Sequence, residues 1–476
     1  MHDLYLDLKN FCLKYKLHYI FMFIILALFA YFTLTSRFMY EFNKDEIHSW
    51  NIATYLNFGQ IIELMRAEGH TFVWYMMLKP FTHNPDIFFP WIIKCLNWLC
   101  VFCAVIVFWF KSPINIFFKT LITFSYPLVG FSTLGRCYGV GILLYFLVAS
   151  LYKDRFKHPF IFALLLFFTA NTSFISALGV GAISVVFLYD MLKDKARNDR
   201  YYCPILMTLA IPLSLYVQWH HHLTPCYATP YINLLYFNFL YHVFQNYDFV
   251  PTPALPAVIL SFGTIISAIF FWKNKRVLIY LFSTFIFFIL FSVLIYPSFN
   301  YHYLYMYLVF VVCLWMYESE PYKTVNKRII KCFYIWLLIM SIIMLTGIKR
   351  KCHWYMREEK YIEHIGCIYK TIPLGSTIYT NMYMAGQVVP ELKDDYVLKI
   401  FTGEDLLTFN GFFYTYNKMG HYAAFDLKYL KSIDKNVKNK YVMYNPGLIL
   451  QYSVANRVID NSVVCEPLRI YKIETE

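Results

Sequence analysis

The apolar residues of this chain recur in long runs, most of them near the ~20 residues an α-helix needs to cross hydrocarbon. That repetition excludes most folds. Hydrophobic residues make up 59% of the 476 and charged ones only 15%, where a soluble chain carries about 25% charged. The expected fold is therefore an α-helical polytopic membrane protein. Eleven windows are predicted to span, at 18–35, 88–110, 114–129, 133–151, 159–171, 174–189, 202–219, 254–272, 277–296, 301–317 and 329–347; the pair between 159 and 189 can also be drawn as one long kinked segment.

Charge sets the expected orientation. Lys153, Arg155 and Lys157, then Lys193, Lys195, Arg197 and Arg200, then Lys273, Lys275 and Arg276, and finally Lys323, Lys327 and Arg328 fall in alternate loops, whereas 220–252 has no Lys or Arg. By the positive-inside rule those basic loops face the cytoplasm. The first loop, 37–87, and the tail, 348–476, then lie outside, although Lys349, Arg350 and Lys351 at the head of the tail run against the rule. The first apolar run follows Lys9, Lys14 and Lys16, but Tyr31, Phe32, Ser36 and Arg37 stand where a peptidase wants small residues, so it reads as an uncleaved anchor. The localisation implied is integral and multi-pass, in a bacterial cytoplasmic (inner) membrane with the active site external.

The net charge of +13 is scattered in short clusters, and no nucleic-acid module accompanies it. No nucleic-acid partner is expected. Among the twelve cysteines, Cys95, Cys100, Cys103, Cys137, Cys313 and Cys332 lie in or beside expected spans without the paired clusters of a metal site, as small apolar fillers would. The chain thus divides into a transmembrane core, 1–347, and a soluble tail, 348–476. In the tail, apolar stretches Ser376 to Thr380, Tyr396 to Phe401, Tyr441 to Tyr444 and Leu468 to Ile473 alternate with helical ones, Trp354 to Thr371 and Asp426 to Ile433. The alternation predicts a small α/β domain.

The chemistry-bearing residues gather just beyond the first span, in Asn43-Lys44-Asp45-Glu46-Ile47-His48-Ser49-Trp50. Carboxylates and imidazoles are costly beside hydrocarbon, so a cluster at the membrane surface points to a polar substrate group. Asp45 suits a general base toward an acceptor hydroxyl or amine, and Glu46 suits orienting it or sharing a divalent metal. A capping box between Asn43 and Glu46 is the competing structural account. Glu68-Gly69-His70 follows an amphipathic stretch, Ile61 to Ala67, that Gly69 would stop. Trp74, Tyr75 and Lys79 beyond it are interfacial anchors. Arg136 and Tyr138 sit at the outer end of the fourth window, where a guanidinium either binds a lipid phosphate or snorkels to headgroups. His302 opens the tenth window on the same face, and His220, His221 and His222 close the seventh.

Asp45-Glu46-Ile47-His48 resembles the Asp-Glu motif in the first external loop of the GT-C superfamily of membrane glycosyltransferases, which includes protein O-mannosyltransferases and the lipid A aminoarabinose transferase. Glu68-Gly69-His70-Thr71-Phe72-Val73-Trp74-Tyr75 resembles the segment ending that loop, with Thr71 where proline is common. Arg136-Cys137-Tyr138-Gly139 resembles an Arg-x-Tyr segment in a later span. The resemblance implies an inverting transferase that uses a polyprenyl-phosphate-linked sugar, with Asp45 as base or acceptor-positioning residue. His48, Glu68, His70, Lys79, Arg136, Tyr138 and His302 would bind substrate, and the acceptor would be a glycan, lipid or protein. Two other classes compete: a flippase or transporter, which would favour broken mid-membrane helices and repeated halves, and a polymerase or ligase using a lipid-diphosphate donor.

Overall fold

The computed structural model describes residues 17–39, 44–65, 70–84, 91–194, 199–218, 271–291, 300–320, 327–355, 361–381, 392, 395–401, 406–408, 437, 439–444, 463–465 and 468–473. Among these the chain is mostly helical. Helix α1 is Leu17–Met39. The first loop then holds α2 (Lys44–Tyr55), α3 (Phe58–Leu64) and α4 (Val73–Leu78). The bundle continues with α5 (Trp91–Lys111), α6 (Ile116–Thr123), α7 (Tyr126–Thr133), α8 (Tyr138–Leu151), α9 (Pro159–Ala170), α10 (Phe174–Asp194) and α11 (Tyr202–Gln218). Next come α12 (Lys275–Leu290), α13 (Asn300–Ser319), α14 (Lys327–Tyr355) and α15 (Tyr361–Thr371).

Three of these helices are long and apolar enough to cross a membrane, over Leu17–Ser36, Trp91–Lys111 and Phe174–Lys193; Pro159–Ala170 and Tyr305–Ser319 are apolar but shorter. The eleven expected windows therefore do not all appear as single long helices. The 114–129 window becomes α6 and α7, each eight residues and so about 12 Å long. Asn115 caps α6 by accepting from the Phe118 N–H at 3.1 Å, and Pro127 occupies the first turn of α7, where its missing N–H is no loss. The 159–189 stretch is two helices parted at Asn171–Ser173, and the 254–272 window lies almost wholly outside the described residues.

Packing is inverted relative to a soluble protein. Helix α13 is buried on every side from Tyr305 to Tyr317, while Ile20, Phe23, Ile24 and Leu28 on α1, Leu206, Leu209 and Leu213 on α11, and Phe282, Ile286 and Leu290 on α12 are exposed. Apolar stripes of this extent suit contact with hydrocarbon. Together with the three long helices they associate the protein with a membrane.

Helix ends sort by charge. Past the C-terminus of α8, Arg155 Nη2 donates to Asp190 Oδ2 at 2.9 Å; Arg276 Nε reaches the same carboxylate at 2.9 Å, and its Nη1 lies 3.6 Å from Glu320. Tyr152 donates to Glu320 at 3.2 Å. Arg155 and Arg276, from two of the expected cytoplasmic loops, thus meet on Asp190, and Glu320 joins the knot through Arg276. Helix α8, 14 residues long, separates this knot from Tyr138 at its other end by about 21 Å.

In the tail, six strands form one sheet: β1 (Thr377–Asn381), β2 (Val397–Phe401), β3 (Leu406–Thr408), β4 (Lys440–Tyr444), β5 (Val463–Cys465) and β6 (Leu468–Ile473). Their order is β3-β2-β1-β4-β6-β5. Strands β2, β1 and β4 run parallel and the remaining pairings are antiparallel. All four expected stretches are strands. The expected helix from Trp354 to Thr371 is shared between the end of α14, which runs to Tyr355, and α15, which starts at Tyr361; the five positions between lie outside the described residues. Gly375, at φ +76°, makes the left-handed turn into β1 that a Cβ would strain. The expected Asp426 to Ile433 helix also lies outside the described residues.

Candidate functional site

A break in the bundle, Leu134–Cys137 between α7 and α8, collects side chains from distant parts of the sequence. Its backbone is held by Asn97, a buried amide in the second turn of α5. Asn97 Nδ2 donates to the Phe131 and Ser132 carbonyls at 2.7 and 3.4 Å, and its Oδ1 accepts from the Gly139 N–H at 3.1 Å. Gly139 permits that approach, since a Cβ there would lie 2.7 Å from the Asn97 carbonyl oxygen. Glu46, fully buried on α2, accepts from the Gly135 N–H. This bond across 89 residues goes beyond the capping account: the carboxylate reaches the break, while Asn43, its expected capping partner, lies outside the described residues.

His70 arrives from the first loop. It forms an antiparallel bridge with Ser173 in the turn between α9 and α10, and the Val73 N–H donates to the Asn171 carbonyl at 3.2 Å. Arg136 Nη2 meets His70 Nε2, and Cys137 Sγ lies 3.3 Å from His70 Nδ1. Tyr138, fully buried, presents its ring edge-on to the imidazole at 5.8 Å and lies 5.7 Å below the Arg136 guanidinium. It is a wall of the site. Because a guanidinium only donates, a bond between these two atoms requires Nε2 to accept, which a neutral imidazole does in its Nδ1–H form.

Ser173 continues the polar line inward. Its hydroxyl pairs with Ser176 at 2.9 Å, and Ser176 pairs with the Tyr305 hydroxyl at 2.8 Å. Gly141 fits against that last hydroxyl, which would lie 2.9 Å from an added Cβ. Thr71 Oγ1 and Trp74 Nε1, both buried, have no hydrogen-bond partner among the described residues. Native interiors leave few such groups without a functional or solvent-mediated reason.

The remaining expected residues divide. His48 is half-buried on α2, two positions after Glu46. Lys79 caps the end of the same helix, donating to the Ala53 and Leu56 carbonyls at 2.8 and 2.6 Å, and burial pushes its pKa below the usual lysine value. Asp45 is in the first turn of α2 and His302 in the first turn of α13, but their side chains, like Glu68 and His220 to His222, lie outside the described residues. Among the described residues no group of three or more His, Cys, Asp or Glu could hold a metal ion. The filler reading of the cysteines needs two corrections: Cys137 touches His70, and Cys367 on α15 is disulfide-bonded.

Sequence reasoning missed Asn97, Cys137 and Ser173. Asn97 carried a signal, an amide inside an apolar run, which hydrocarbon penalises unless it faces protein. Compared with known proteins, the chain matches no family model, no curated protein and no solved structure.

Proposed function

We propose that the protein is a GT-C-like membrane glycosyltransferase of about eleven spans that moves a sugar from a polyprenyl-phosphate donor to an extracytoplasmic acceptor. One observation carries this reading: Glu46, His70 and Arg136, from three separate segments, converge on the break between α7 and α8. A buried carboxylate and a guanidinium on adjoining backbone give the polarity that transfer from a lipid phosphate requires. In the proposed step Asp45 takes the acceptor proton. The acceptor oxygen then bonds to the anomeric carbon as the bond to the phosphate oxygen breaks, and the polyprenyl phosphate leaves with its electron pair toward Arg136. A single displacement inverts the anomeric centre. Glu46, engaged with Gly135, holds the break in place.

The disulfide at Cys367 supports an external tail, because disulfides persist in oxidising compartments. The knot at Asp190 supports the same orientation by gathering expected cytoplasmic residues at one end of the helices.

The test is donor titration with acceptor saturating, on wild type, Arg136→Lys and Arg136→Ala. Lysine keeps the charge but not the bidentate fork, so affinity should fall in that order. Alanine should cost about 2 to 5 kcal/mol if a desolvated phosphate is lost, and under ~1 if Arg136 only snorkels. Equal affinities would remove Arg136 from the site. Asp45→Asn should leave an intact protein without turnover; wild-type turnover would return Asp45 to a structural role. Consumption of the lipid donor in liposomes separates a transferase from a transporter, which would move it unchanged.

A further inference from the structure

We propose that Cys137 is a positioning residue: its thiol fixes the tautomer and ring orientation of His70, so that the bare Nε2 faces the Arg136 guanidinium. Cys137 Sγ stands 3.3 Å from Nδ1 on the opposite edge of the imidazole from Arg136. With Nε2 accepting from an obligate donor, the Nδ1–H points at sulfur, a weak acceptor. The two contacts clamp the ring from both sides. Sulfur can serve in this way because it does not wander: Cys137 is 1% exposed, its carbonyl accepts from the Gly141 N–H at 3.1 Å, and Asn97 fixes Gly139 two residues on. Tyr138, edge-on to the ring, closes a third side.

The consequence for binding is indirect. The other tautomer would present an Nε2–H to Arg136, and two donors facing each other would push the guanidinium out of register. Cys137 thus acts on a donor phosphate through His70 and Arg136, and this extension to binding rests on the proposed transferase reading; the tautomer itself does not.

Nitrogen-15 spectroscopy of histidine-labelled protein reads the tautomer directly. The chain has 14 histidines, so the His70 signal is identified as the one absent from His70→Gln. Wild type and Cys137→Ser, which keeps an acceptor, should show the Nδ1–H form. Cys137→Ala should show a mixture or the Nε2–H form, and Cys137→Val carries the same test if the alanine variant fails to fold. An Nε2–H form in wild type, or an unchanged signal in both apolar variants, would overturn the proposal. Binding of polyprenyl phosphate should weaken roughly five-fold in Cys137→Ala and recover in Cys137→Ser. A changed tautomer with unchanged binding would uphold the positioning of His70 and reject the donor site.

Discussion

Asn97 shows how one side chain can decide the shape of a site it does not line. Its amide satisfies two carbonyls and an N–H around the break that carries Arg136. Asn97→Leu keeps the volume and strands those groups, each costing about 1 to 3 kcal/mol when buried. Thermal unfolding in detergent should show a clear loss of stability, and a wild-type melting temperature would mean that the break holds itself. Gly139→Ala should act on the same contact by pressing a methyl against the Asn97 backbone, and the two changes together should cost less than their sum because they share it. Arg136, His70 and Tyr138 were legible because polar residues in an apolar chain are conspicuous. Cys137 and Ser173 were not, since a thiol or hydroxyl in a span acquires meaning only from its tertiary partner.

Elements were legible where a local rule governs them. The tail strands follow short alternating runs bounded by turn residues, and all four appear. Helix boundaries inside the bundle depend on single residues, such as Asn115 and Pro127, that a hydropathy window averages away. What binds the helices together was invisible: Asp190 on α10 joins Arg155 beyond α8 and Arg276 on α12. Asp190→Ala should destabilise the bundle by about 3 to 5 kcal/mol, because a buried arginine is left uncompensated; most of this belongs to Arg155, 7% exposed, not to Arg276 at 36%. The double variant Arg155→Met, Asp190→Leu should recover much of the loss. Equal melting temperatures for wild type and Asp190→Ala would show that the knot is open to water.

For the whole molecule the informative quantity is orientation. A reporter fused after Glu476 should be accessible from outside, and Cys367 should react with a maleimide only after reduction, as its disulfide requires. Cytoplasmic reporter activity would reverse the assignment. Positive-inside charges let the sequence propose an orientation because insertion itself reads them, whereas the number of complete crossings depends on how short helices pack.

The bond between Glu46 and the Gly135 N–H also fixes an order of events during synthesis. The carboxylate enters the membrane surface early, yet its partner is 89 residues further along, and His70 must wait still longer for Ser173. A ribosome paused between these points would hold a first loop whose buried groups are unmatched. Nascent chains halted before Gly135 should therefore be cut readily by protease within that loop, and chains extended well past Ser173 should resist.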